Sequence, residues 1–162
     1  MVLLMIPSDA IWLSMNTPYA VPSSSSPTGA PRPRQTFADE KDRERLTPAA
    51  LEATRNLAKA WHLKVDIIAA LLGVSPSTWD RIKGNAWGQT LSQDQLMRAS
   101  AMIGVFKGLH LLFADSMADR WVGLRNSGPL FSNRTPIETM IEGGIPAMIE
   151  VRHYVDALRG GL

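Results

Sequence analysis

The chain contains no cysteine. Disulfides, thiolate zinc centres and cysteine nucleophiles are therefore excluded, and the composition suits a reducing compartment such as the cytoplasm. Histidine is scarce, with His62, His110 and His153 only. Glu150 and His153 have the Glu-x-x-His spacing of half a di-iron carboxylate centre, but such a centre needs a second copy, which the chain lacks. No serine stands in a Gly-x-Ser-x-Gly elbow, and there is no Gly-rich phosphate loop, no alternating strand pattern and no internal repeat. Neither an enzyme nor a bound metal or cofactor is expected. Charge of one sign is also scarce: the net charge is +2. The whole excess lies in residues 46–91, where Arg55, Lys59, Lys64, Arg81 and Lys83 face only Glu52, Asp66 and Asp80. That is a faint basic bias, far weaker than a nucleic-acid-binding tail.

What is present is mostly helical signal. Ser92 with Gln95 three residues on is a capping box, and 92–113 then runs without proline. Leu96, Ala99, Ile103, Phe106 and Phe113 recur at helical spacing. Met97, Met102, Val105, Leu109 and Leu112 do so on other sides, so this helix is apolar almost all round. Arg98, Lys107 and His110 interrupt it, which makes it a poor membrane span. It reads as a strut shared by two modules, the first packed on its N-terminal part and the second on its C-terminal part. Apolar surface left over on it is the expected homodimer contact.

Residues 1–45 read as a disordered extension. The opening MVLLMIPSDAIWL has no basic flank, and Pro7 and Asp9 break its apolar run, unlike a signal peptide. Residues 18–33 are rich in Pro, Ser and Gly, which favours a flexible tail or a start at Met15. ADEKDRERL (38–46) is a solvated helical lead-in. Thr47-Pro48 then marks a helix start, with Leu51, Thr54, Leu57, Ala58 and Trp61 on one face.

Residues 46–91 contain the pattern Ala69-x-x-x-Gly73-Val74-x-x-x-x-Trp79-x-x-Ile82, the spacing of a helix-turn-helix. A small residue at 69 allows close helix approach. Gly73 permits a positive φ at the turn, and Val74, Trp79 and Ile82 pin the second helix on the first. Ser75-Pro76 starts that second helix, and Ser75, Ser77, Thr78, Arg81 and Lys83 are the candidate DNA-binding residues on it. Hydroxyls near a helix N-terminus suit phosphates, Arg81 suits a guanine edge and Lys83 a phosphate. Asp80 opposes phosphate, so one copy should bind weakly and a dimer with half-sites one helical turn apart is expected.

After the strut, Asp115 is the expected N-cap of a short helix ending near Trp121-Val122, followed by the turn-rich loop 124–134. Thr135-Pro136-Ile137-Glu138 is another capping box with a first-turn proline. That helix should stop at Gly143-Gly144, and Pro146 should open the last one, with Met148, Val151, Val155 and Leu158 as its apolar stripe. Arg152 and Asp156 have i,i+4 spacing on its other side.

From Leu46 to Leu162 the chain resembles the Xre/MbcA/ParS antitoxins of bacterial toxin–antitoxin pairs. The resemblance rests on IIAALLGVSPSTWDRIKGN, on LSQDQLMRASAMIGVFKGLHLLF, and on the order Trp121, Asn126, Leu130, Pro136, Gly143. It implies an all-α protein: a helix-turn-helix module at 46–91, a shared connecting helix at 92–113 and a toxin-binding domain at 114–162. It implies a cytoplasmic antitoxin that binds operator DNA as a homodimer, represses its own operon and neutralises a RES-domain toxin, an enzyme that destroys NAD. It places Arg152, Tyr154, Asp156, Arg159, Gly160, Gly161 and Leu162 at the toxin's active-site entrance. An electropositive NAD pocket would accept Asp156 or a terminal carboxylate, while Arg152 and Arg159 engage acidic groups at its rim. The alternative is a stand-alone helix-turn-helix regulator with no toxin; a metal or hydrolase enzyme is the more distant rival.

Overall fold

The computed structural model describes residues Phe37–Gly160, all within one compact unit. The expectations for residues 1–36, and for Gly161 and Leu162, lie outside the described residues. The described chain is all helical: α1 Glu40–Ala60, α2 Val65–Leu72, α3 Pro76–Lys83, α4 Gln93–Leu112, α5 Asp115–Trp121 and α6 Pro136–Gly160. Among these residues there is no strand, only an isolated antiparallel bridge between Asn126 and Arg134. None of their helices is long and apolar enough to cross a membrane.

The first helix starts earlier than its proline suggests. Asp39 caps it by accepting from the Asp42 amide, and Glu40 and Asp42 suit the positive end of the helix dipole. The lead-in and the segment after Thr47-Pro48 are therefore one helix, with Pro48 inside it. Thr47 does not cap. Its hydroxyl turns inward, donating to the Arg43 carbonyl at 2.7 Å and accepting the Leu91 amide at 3.0 Å. Residues 40–45, expected in the extension, thus belong to the fold, and Thr47 ties α1 to the segment entering the strut.

The helix-turn-helix forms as its spacing requires. Gly73 ends α2 at φ +74°, and the Val74 amide bonds the Ala69 carbonyl at 2.9 Å. Ser75 caps α3 by accepting from the Thr78 amide, and Trp79 and Ile82 are buried against α2. The capping box of the strut α4 is complete, with Gln95 N to Ser92 Oγ at 3.2 Å and Ser92 N to Gln95 Oε1 at 2.9 Å.

The strut does not divide its surface end to end between two modules. It lies between α1 and α6, and α2 also packs directly on α6. Trp61 of α1 meets Phe106 of the strut with ring centroids 6.1 Å apart. Along the strut, Arg98 neighbours Gly144, Gly104 lies under Arg152 and Gly108 under Val155, so the last arm of α6 runs parallel to it. The physical reason is the pair of glycines: lacking Cβ atoms, Gly104 and Gly108 let α6 approach the whole strut instead of its end.

Beyond the strut, Asp115 is the first residue of α5 and Ala114 occupies the cap, one position before the expected cap. In α6, Thr135 and Glu138 form the expected reciprocal cap. The hydrogen bond from the Thr135 amide holds the Glu138 carboxyl below its ordinary pKa range. Gly144, at φ +61° and ψ −148°, breaks α6 where the Gly-Gly pair predicted a stop. A Cβ there would need a conformation that L residues rarely adopt.

Candidate DNA and partner interface

Of the five candidate DNA residues, Ser77, Thr78, Arg81 and Lys83 lie on α3 and Ser75 caps it. Ser75, Ser77, Arg81 and Lys83 are exposed and Thr78 is half-buried, while Trp79 and Ile82 turn inward. The hydroxyls first serve each other: Ser75 Oγ lies 3.0 Å from Ser77 Oγ and 2.8 Å from Thr78 Oγ1. This network rigidifies the first turn of α3 and leaves the longer Arg81 and Lys83 as its outward reach. Asp80 is also exposed.

Two arginines not anticipated from the sequence hold this helix and the turn before it. Arg55 of α1 donates to the Ile82 carbonyl at 3.1 Å, at the C-terminal end of α3, where a cation complements the helix dipole. Arg98 of the strut donates to the Leu71 carbonyl at 3.3 Å and lies across Gly73. Its guanidinium also borders Gly144, so one side chain touches both the helix-turn-helix turn and the break in α6. No local motif points to either residue, because each bonds a carbonyl 27 positions away in the chain.

The partner-facing candidates on α6 do not form one patch. Arg152 lies over Gly104, with its Nε 3.8 Å from Asp156 Oδ2. Arg159 Nη1 donates to Asp156 Oδ1 at 3.3 Å. These three charges form a chain along one side, each side chain a little over 40% exposed. Tyr154 points elsewhere. It stacks on Trp121 at 6.3 Å and meets Phe131 edge-on at 5.1 Å, half-buried against the C-terminal core. Gly160 is exposed at the end of the helix.

The histidines divide as their surroundings dictate. His62 and His153 are exposed, and Glu150 beside His153 is exposed too. No group of three potential metal ligands exists among the described residues. His110 is packed, as the apolar strut implied. Its ring sits 4.0 Å from that of Phe106, with Nδ1 2.9 Å from the Phe106 carbonyl and Nε2 3.3 Å from Asp119 Oδ1. A carbonyl only accepts, so the contact with Phe106 is made by Nδ1 as donor.

An exposed second helix of a helix-turn-helix, braced by a long strut and a helical C-terminal half, defines a helix-turn-helix regulator class of protein. Residues 40–104 match the family described as the antitoxin Xre-like helix-turn-helix domain. The uncharacterized protein y4oB of Sinorhizobium fredii (strain NBRC 101917 / NGR234) is 36% identical over 115 residues, covering 70% of this chain and 87% of that protein. The chain belongs to the same family as y4oB, and its residues 40–104 carry the likeness to the antitoxin Xre-like helix-turn-helix domain. No solved structure matches it. The matched segment starts at the first residue of α1, not at Leu46, and ends within the strut.

Proposed function

We propose that the chain is a cytoplasmic antitoxin that neutralises a RES-domain, NAD-degrading toxin by blocking its active site, and that represses its own operon through dimeric binding of α3 to operator DNA. The observation that carries the proposal is the Xre-like helix-turn-helix domain at 40–104. Its continuation into a packed C-terminal half that retains Trp121, Asn126, Leu130, Pro136 and Gly143 in the order of the RES-partnered antitoxins supports the finer reading. In it, Ser75, Ser77, Thr78, Arg81 and Lys83 meet DNA. Arg152, Asp156, Arg159 and residues 160–162 meet the toxin, with Tyr154 setting the orientation of the helix from behind. Leu111, 69% exposed at the end of the strut, with Met117 and Leu124, forms the homodimer contact.

Two experiments test this reading. Deleting Gly160–Leu162 should sharply weaken protection of cells that express the RES protein of the neighbouring gene, while the melting temperature stays unchanged; full protection by the truncated chain would refute the blocking role. Arg81→Ala should loosen sequence preference by about 1–3 kcal/mol at one base pair, whereas Lys83→Ala should weaken all duplexes alike. The reverse pattern in a binding-site selection would reassign the groove contacts. The mutual pairing of Arg152, Asp156 and Arg159 favours one alternative, a stand-alone regulator, because these charges already have partners. Absence of a RES gene next to this one, and of any co-purifying toxin, would select it.

A further inference from the structure

Beside α3 lies a cavity of about 420 Å³ that shares Thr78 and Arg81 with the outer side of that helix and extends away from it. One wall is α3 and its turn, with Val74, Thr78 and Arg81; a second is the first turns of α1, with Glu40 and Arg43. The third is the segment entering the strut, with Trp87, Gln89, Thr90, Leu91, Ser92 and Gln95. Val74, Trp87 and Leu91 supply apolar surface, and Leu91 is fully buried. The remaining residues supply polar and charged groups. Arg43 is held in place: its Nη1 donates to the Phe37 carbonyl at 3.1 Å and to the Ala38 carbonyl at 2.6 Å.

We infer that this notch seats a sugar-phosphate unit of the DNA backbone flanking the stretch that α3 contacts. The inference rests on the reading of α3 as the DNA-binding helix and adds a second contact strip outside it. Three features select this ligand. Thr78 and Arg81 belong to both the notch and the outer side of α3, so a strand crossing that helix is carried on to the notch. Two arginines against one glutamate leave a single positive charge, which matches the one negative charge of a phosphodiester. Apolar surface beside hydroxyls and amides suits a deoxyribose joined to its phosphate, whereas a free anion would use none of that apolar surface. Contacts of this kind set register and orientation without carrying sequence information.

A charge series at Gln89 in the full chain tests the inference, because Gln89 is exposed. Fluorescent duplexes carrying the DNA upstream of the gene, and a scrambled duplex of equal length, serve as probes across a range of salt. Gln89→Glu should weaken binding of both duplexes several-fold at low salt. Gln89→Lys should strengthen both and steepen the salt dependence by about one counterion. Ala157→Glu, exposed on α6, makes the same change in net charge and should leave binding unaltered. Equal effects at 89 and 157, no effect at 89, or an effect confined to the upstream sequence would each overturn the notch assignment. If Lys83→Ala lowers affinity but the 89 series does not, the notch alone fails. If the unaltered chain and all variants ignore both duplexes, the reading of α3 fails with it.

Discussion

Gly108→Leu should destabilise the protein by about 3 kcal/mol, the upper end of the cost of overpacking a core. A Cβ at Gly108 would lie 2.6 Å from Val155 Cγ1, and Val155 is fully buried on the facing helix. A β-branched side chain in a helix has one strongly preferred rotamer, so Val155 cannot turn aside. The two helices must separate, and the strut lies in the core of the whole described unit. Against a total stability of roughly 5–15 kcal/mol this is a large fraction. Gly104→Ala provides the contrast. Its Cβ would lie 2.5 Å from Arg152 Nε, but that is the mobile part of a partly exposed side chain. Arg152 can swing away, and the gain in helix propensity of about 0.5–1 kcal/mol offsets much of the disturbance. Thermal unfolding followed by circular dichroism checks both. Similar melting temperatures for the two variants would mean that the crossing is looser than the structure has it.

Phe131→Ala should cost about 3–5 kcal/mol, the range for deleting a buried aromatic side chain. Phe131 is fully buried in the loop after α5, edge-on to Trp121 at 5.8 Å and to Tyr154 at 5.1 Å. Its removal opens space beneath the last helix, far in sequence from α3. Because α6 packs on the strut and on α2, the loss should lower one shared transition, and DNA binding should disappear with the C-terminal structure on heating. Following helicity and duplex binding together against temperature makes the check. A helix-turn-helix that kept binding after the C-terminal half had melted would show two independent units.

The elements that were legible in the sequence are those whose cause is local. The strut starts where a serine and a glutamine three residues apart cap it. The same holds for α6 with Thr135 and Glu138. Gly73 and Gly144 adopt positive φ where the pattern demanded a turn and a break. The start of α1 was obscured by Pro48, because a proline in a first turn and a proline tolerated inside a helix look alike in sequence. The tie-breaker was the hydroxyl of Thr47, which bonds Leu91, 44 positions away.

The outward placement of Ser75, Ser77, Arg81 and Lys83 was equally legible, since one short helix and its cap present them. The partner-facing set was not, because neighbours on a helix point in different directions and only the surrounding elements decide what each one meets. Tyr154 faces Trp121 and Phe131, while Arg152 lies on Gly104 of the strut. By itself the sequence determined the all-helical class, the strut and the helix-turn-helix, since caps, glycines and apolar spacing act within a few residues. Only the tertiary structure decided that α6 lies along the strut, that Arg55 and Arg98 brace the turn and α3, and that Arg43 joins the wall of a notch beside α3. Those outcomes depend on which helix surfaces can approach closely, and two glycines in the strut settle that only once a partner helix is laid against them.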